Sequence, residues 1–161
     1  MQLLKKILYR LMFLGLSFGL MISANAEVDI DERKALAEQG DVIAQINMGW
    51  IYQNGSGVPK DNHEAFTWFK RAADQGNALA QASLGMMYYE GFGVRQDYIL
   101  ARKLFQKSAN QGDSDAQGIL GTFYEKGIGG VRQNKAIAKE WYGKSCDNGN
   151  QNGCNDYRRL N

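Results

Sequence analysis

Few side chains in this chain could do chemistry. It has one histidine, His63, two cysteines, Cys146 and Cys154, and a close pair of carboxylates, Asp113 and Asp115. Catalysis needs a nucleophile, acid or base held together with its supporting groups. His63 falls in the predicted first turn of a helix, where we expect it to be exposed. The aspartates fit a helix N-terminus, which favours acidic residues through its dipole. We therefore predict no catalytic residues and no enzymatic activity.

Residues 1–26 are predicted to be a cleaved signal peptide. A basic start is followed by an uncharged apolar run over residues 11–22 and by the small-x-small site Ala24-Asn25-Ala26. The apolar run is shorter than the ~20 residues that a helix needs to cross a bilayer. An uncleaved anchor is the alternative interpretation. We expect a mature chain of residues 27–161, periplasmic or secreted, with no stable membrane insertion.

The two cysteines fit that location. Cys146 and Cys154 have seven residues between them, and an even number of cysteines in an exported chain indicates a disulfide. A metal site is the competing interpretation, but two thiols and the distant His63 supply too few ligands. We predict a disulfide, no metal and no cofactor. By the chain-entropy model, closing this loop contributes about 2–3 kcal/mol.

The charge balance gives no sign of nucleic-acid binding. The whole chain has 19 Lys and Arg against 17 Asp and Glu, a net charge of +2. Removing the three basic residues of the signal leaves 16 against 17, a net charge of −1. Binding to nucleic acid requires positive charge clustered on one face. We expect no nucleic-acid partner.

A repeated phrase predicts the elements that hold these residues. Ala-Glu-Gln-Gly-Asp, starting at Ala37, returns in variant form at Ala73 and Ala109, 36 residues apart each time, and a degenerate copy begins at Cys146. A period of this length is typical of stacked copies of one supersecondary unit. Such arrays usually present a surface to a partner.

Each repeat predicts two helices. An Asp or Asn follows the Gln-Gly turn as a helix N-cap, and a Gly such as Gly55 suits a left-handed helix end. A second capping residue, such as Asp61, opens the next helix, which carries a stripe of small and aromatic residues. Glycine inside the first helix, as at Gly49, costs about 1 kcal/mol relative to Ala and indicates a close approach of the partner helix. The prediction is an all-α, right-handed α-solenoid of stacked αα-hairpins. Its units are residues 37–72, 73–108 and 109–145, with a polar N-terminal helix and a C-terminal capping helix in residues 146–161.

These motifs resemble the Sel1-like repeat, a relative of the tetratricopeptide repeat. The resemblance rests on Leu-Gly-x-x-Tyr, as at Leu84, and Gly-x-Gly-Val, as at Gly91, in register over residues 35–160. It implies protein–protein adaptor work, often at the bacterial envelope. Some exported members resemble immunity proteins, and some Cys-rich members are described as penicillin-binding or weakly β-lactamase-active. The mature chain has no Ser-x-x-Lys motif, so no residue carries that activity over. The cysteine pair is similar to the hairpin disulfides of the Cys-rich members, which carry one per repeat.

The resemblance also suggests where a protein or peptide partner binds. In tetratricopeptide arrays the first helices line a concave face, and first-helix positions that the repeat does not fix are apolar in repeats one and two. Packing between neighbours along the groove is the alternative for these side chains. We expect a monomer that binds its partner on this face. There are two alternative functions: an immunity-type inhibitor of a secreted effector, or, by family analogy only, a weak β-lactam or cell-wall hydrolase. The predicted contact residues are Ile46, Trp50, Gln53, Met86, Tyr89, Thr122 and Glu125.

Overall fold

The computed structural model describes residues 30–160, and the signal peptide predicted for residues 1–26 lies outside them. The described chain forms helices and contains no strand. Consecutive helices pack as antiparallel pairs, and each pair stacks on the next, which confirms the prediction of an all-α solenoid of αα-hairpins. The helices are α1 (Ile30–Glu38), α2 (Val42–Asn54), α3 (Asn62–Asp74), α4 (Ala78–Glu90), α5 (Tyr98–Asn110), α6 (Ser114–Lys126), α7 (Lys135–Asp147) and α8 (Gln151–Arg159).

Local capping sets the helix boundaries. The side chain of Asp41 accepts a hydrogen bond from the backbone N–H of Ala44 at 2.7 Å, and Asn77 and Asp113 cap α4 and α6 in the same way. These bonds satisfy N–H groups that the first turn of a helix leaves without an intrahelical partner. The three first helices end at glycines in the left-handed conformation, which costs least for glycine. Those glycines are Gly55, Gly91 and Gly127.

The core lies between the two helices of each hairpin and between neighbouring hairpins. Phe69 of α3 is fully buried and reaches under Gly49 of α2, where an added Cβ would lie 2.6 Å from the Phe69 ring. The interior glycine is therefore needed because an aromatic side chain, and not the neighbouring backbone, fills the space that a Cβ would take. Phe105 under Gly85 and Tyr142 under Gly121 repeat the arrangement.

Buried glutamines join successive repeats. The Gln45 amide donates to the Ala37 carbonyl at 3.0 Å, and its oxygen accepts from the Gln75 amide at 2.8 Å. Gln111 and Gln81 form the same pair one repeat later, at 2.9 Å. Because a buried amide without a partner is costly, this ladder explains why the repeated phrase keeps Gln before Gly.

The two end helices differ in how they are held. In α1 only Ala37 is buried, and the outward side of the helix is largely polar, as predicted for an N-terminal cap. At the other end α8 packs on α7 and also contacts α6. A disulfide joins Cys146, in the last turn of α7, to Cys154 in α8, with their Cα atoms 4.4 Å apart.

Candidate functional site

The first helices of repeats one and two are almost free of charge. Between them, α2 and α4 carry a single charged residue, Glu90, at the end of α4. Helices on a protein surface normally place charged residues on their outward side, and the centres of protein interfaces are depleted of charge. The neighbouring second helices follow the normal pattern, with Glu64, Lys70, Arg71 and Asp74 in α3 and Arg102, Lys103 and Lys107 in α5.

Large apolar side chains stand exposed on these two helices. Ile43 is 61% exposed, Leu79 is 44% exposed and Trp50 is 37% exposed. Ile43 and Leu79 occupy the same position in consecutive repeats, and Trp50 lies two turns after Ile43 on the same side of α2. We call this surface, formed by Ile43, Trp50 and Leu79, the first-helix face. Exposed large apolar residues on helices with almost no charge are typical of a protein-binding surface.

One predicted contact residue does not belong to this surface. Ile46 is only 2% exposed and belongs to a buried cluster that includes Phe69 of α3 and Leu84 of α4. The prediction that Ile46 contacts a partner is therefore wrong. The buried side of α2 extends around the helix as far as position 46, which the spacing of the exposed Ile43 and Trp50 does not show. Small residues at the matching positions 82 and 118 are the signal that could have shown this.

Three other predicted residues are half-buried, and their contacts fit the packing alternative in part. The Tyr89 ring lies 5.2 Å from the Tyr98 ring and 5.8 Å from the Phe123 ring, both in edge-on contact. Met86 packs against the core formed by α5 and α6, while Gln53 lies in the last turn of α2. Trp50 keeps the largest exposed fraction of the predicted set, although its ring also meets the edge of Phe69 at 6.4 Å. A partner-binding role for these residues stays a prediction.

The two predicted residues of repeat three take part in a polar network. The Glu125 carboxylate accepts two hydrogen bonds from Arg159 of α8, at 2.6 and 2.8 Å, and one from the Tyr142 hydroxyl at 2.8 Å. Thr122 lies 3.1 Å from the same hydroxyl. Sequence reasoning missed this pairing, since Glu125 and Arg159 are 34 residues apart and meet only where α8 crosses α6.

This network fixes the protonation states of its members. The hydrogen bonds from Arg159 lower the pKa of Glu125 to about 2, against the opposing effect of burial. Burial raises the pKa of Tyr142 to about 12. At neutral pH, Glu125 is therefore ionised and Tyr142 is neutral, and their polar atoms are occupied by each other and by Arg159. The arrangement holds α8 in place and is poorly suited to proton transfer.

Among residues 30–160, no group of three or more His, Cys, Asp and Glu residues is placed to hold a metal ion. Over the same residues, each helix is too short or too polar to cross a lipid bilayer.

Comparison with known proteins agrees with the repeat geometry. The Sel1 repeat model matches three consecutive segments, residues 42–77, 78–113 and 114–150. The chain belongs to the Sel1 repeat family. Sel1 repeats typically serve in protein–protein interaction, and their solenoid fold is typically non-enzymatic.

Individual Sel1 relatives cover different lengths. The secretory immunoglobulin A-binding protein EsiB of Escherichia coli O6:H1 (strain CFT073) is 42% identical over 69 residues, which are 43% of this chain and 14% of EsiB. The structure of c5321, a protective antigen of uropathogenic Escherichia coli with an SLR fold, matches with a TM-score of 0.78 and 37% identity, covering 81% of this chain and 28% of that one. The chain thus spans less than a third of either of these relatives.

Two shorter proteins show the same Sel1 architecture. A Sel1 repeat protein from Oxalobacter formigenes matches with a TM-score of 0.73 and 39% identity, over 81% of this chain and 98% of that one. Cysteine rich protein B of Helicobacter pylori matches with a TM-score of 0.61 over 78% of this chain and 90% of that one. At 22% identity, this last match shows the fold alone.

Proposed function

We propose that this Sel1 repeat protein is a protein-interaction module that works outside the cytoplasm and binds a protein or peptide segment through the first-helix face. The single observation that carries the proposal is the exposure of Ile43, Trp50 and Leu79 on helices with almost no charge. Exposing such a surface to water has no folding benefit, whereas covering it with a partner removes apolar area from water.

Two further observations support the location and the kind of partner. The Cys146–Cys154 disulfide fits an oxidising compartment, as does the predicted signal peptide. EsiB, which shares 42% identity with part of this chain, is named as an immunoglobulin A-binding protein, so a protein partner has a precedent among the relatives. An immunity-type inhibitor would use the same surface with an enzyme as its partner.

A capture experiment tests the proposal. Oxidised, tagged protein comprising residues 27–161 is incubated with a periplasmic extract of its own organism, and retained proteins are identified by mass spectrometry. The test variant is Ile43→Ser/Leu79→Ser, because both side chains are exposed and their loss leaves the core intact. The matched control is Lys103→Ser/Lys107→Ser, which changes two exposed residues of the second helix α5.

The outcomes separate clearly. We expect a protein that is retained by the wild type and the α5 control and lost with the first-helix variant. Retention that is equal for all three proteins would remove the first-helix face as the binding surface. Hydrolysis of a chromogenic β-lactam by the purified wild type, which we do not expect, would support the enzymatic alternative instead.

A further inference from the structure

The two sides of the solenoid carry different charges. Each second helix packs against the first helix of its own repeat and against the next first helix along the chain, so the second helices form a separate layer. The three first helices, α2, α4 and α6, have five acidic residues and one basic residue together with their N-caps. In α5, α7 and the loops that precede them, residues 91–110 and 127–147, there are eight basic and three acidic residues, a net charge of +5. The small net charge of the whole chain therefore hides a separation of charge between its two sides.

Like charges recur at matching positions of repeats two and three. Six of the eight basic residues form three such pairs, and all six are exposed or half-buried. None of the six forms an ion pair with any of the residues 30–160. Two of their ammonium groups lie over aromatic rings, which leaves the positive charges uncompensated. We call the surface formed by these six residues the basic surface; the pairs are Arg95 and Arg132, Arg102 and Lys139, and Lys107 and Lys144.

The matching region of repeat one is not basic. Residues 55–74 have three basic and three acidic side chains, and Lys70 and Asp74 among them form an ion pair with each other. At the positions of Arg95 and Arg102, repeat one has Pro59 and Phe66. The repeat therefore folds without basic residues at these positions, and the positive charge is a property of repeats two and three.

The spread of the basic surface and its neighbours favour an anionic lipid bilayer as the partner. The charges are distributed over two helices and two loops, so an extended surface with many phosphate groups can meet more of them than a single anion can. Tyr98 and Ile99, at the start of α5, are 40% and 51% exposed and follow Arg95 closely in the chain. Exposed aromatic and aliphatic side chains beside basic ones are typical of surfaces that rest on a membrane interface. The phosphate backbone of a nucleic acid offers such side chains no apolar environment.

We propose that the basic surface binds the anionic headgroups of a lipid bilayer, with Tyr98 and Ile99 in contact with the membrane interface. The association is peripheral: Lys and Arg side chains are attracted to the negative surface potential, and no helix crosses the bilayer. Because the second helices form the layer opposite the first helices, the first-helix face stays open to a protein partner in this orientation. The lipid site does not rest on the first-helix face, and each can fail without the other.

Co-sedimentation with lipid vesicles tests the site directly. The probes are vesicles of an equimolar mixture of phosphatidylcholine and phosphatidylglycerol and, as the neutral control, vesicles of phosphatidylcholine alone. The oxidised protein comprises residues 27–161, which excludes binding through the apolar run of residues 11–22. We expect binding to the anionic vesicles only. Binding should fall steeply when the ionic strength rises from about 0.1 M to about 1 M, because the Debye length shortens from roughly 10 Å to roughly 3 Å. Equal binding to both kinds of vesicle, or binding to neither, would overturn the proposal.

Variants then identify the surface that binds. Arg95→Gln/Arg132→Gln should weaken binding to the anionic vesicles by about twenty-five-fold, since each Lys or Arg near an anionic membrane contributes about fivefold. The matched control Lys34→Gln/Lys60→Gln removes the same charge from exposed positions outside the basic surface and should bind like the wild type.

Two results with these proteins would overturn the proposal. Equal affinity of the two variants for the anionic vesicles would mean that the total charge decides and not the basic surface. Tighter binding of the wild type to a DNA duplex than to the anionic vesicles would indicate a nucleic-acid partner instead. The first-helix variant Ile43→Ser/Leu79→Ser should bind the anionic vesicles normally, which separates this site from the proposed function.

Discussion

Replacing the interior glycines by alanine tests the packing of the repeats. Gly49, Gly85 and Gly121 hold the same position in the first helices of three repeats, but the space around them differs. An added Cβ would lie 2.6 Å from the Phe69 ring at Gly49 and 2.5 Å from the Tyr142 ring at Gly121, against 3.2 Å from the Phe105 ring at Gly85. Helix propensity alone would make each substitution stabilising by about 1 kcal/mol.

The distances decide which effect dominates. Phe69 and Tyr142 are buried and held on all sides, so a Cβ at 2.5–2.6 Å forces them to move, and overpacking of this kind costs about 1–3 kcal/mol. We expect Gly49→Ala and Gly121→Ala to lower the free energy of unfolding by up to about 2 kcal/mol, after subtracting the propensity gain. At Gly85 the neighbouring ring has to move by only a few tenths of an ångström. Gly85→Ala should therefore stay within about 0.5 kcal/mol of the wild type.

Urea unfolding followed by circular dichroism measures these differences, with the disulfide kept oxidised in all four proteins. Gly40→Ala is a poor control because Gly40 has positive φ, so the wild type and the Gly85 variant serve as the references. Stabilisation of all three variants would refute the packing argument, since it would mean that helix propensity alone decides. A loss of unfolding free energy in Gly85→Ala as large as that in Gly49→Ala would show that the distance from the added Cβ to the neighbouring ring does not decide the effect.

Three further predictions follow from the same contacts. Reducing the disulfide should lower the free energy of unfolding by about 2–3 kcal/mol and should increase hydrogen exchange first in α8; exchange that rises equally in all helices would contradict this. Because the pKa of Glu125 is lowered from 4.5 to about 2, its ion pair stabilises the fold above pH 4.5 and is lost as the pH falls toward 2. Between these pH values a Glu125→Gln variant should lose less stability than the wild type, as acid titration at fixed urea would show. Ile46→Ala should cost about 2–4 kcal/mol and Ile43→Ala less than about 0.5 kcal/mol, and equal losses in urea unfolding would mean that the assignment of core and surface is wrong.

Local signals explain what the sequence predicted well. Asp41 as an N-cap and Gly55 as a left-handed helix end depend on a few adjacent residues, so the pattern was sufficient to place them. Cys146 and Cys154 were also predictable as a pair, since the turn between two antiparallel helices brings them together over a short stretch of chain.

Long-range packing explains what the sequence did not predict. Ile46 shares a spacing with the exposed residues of α2, and only the position of α3 shows that it is buried. The Glu125–Arg159 pair depends on the angle at which α8 crosses α6, which no periodicity describes.

Site-specific photo-crosslinking tests the central claim, that the first-helix face binds a protein partner, most directly. A photoreactive phenylalanine is placed at position 43 or 79, where the side chains are exposed, and at position 103 on α5 as the matched control. Irradiation of cells that produce these proteins, followed by gel analysis and mass spectrometry, gives the partner and the contact surface together. We expect one discrete adduct from positions 43 and 79 and none from position 103. Absence of an adduct at both first-helix positions, or the same adduct from all three, would contradict the account.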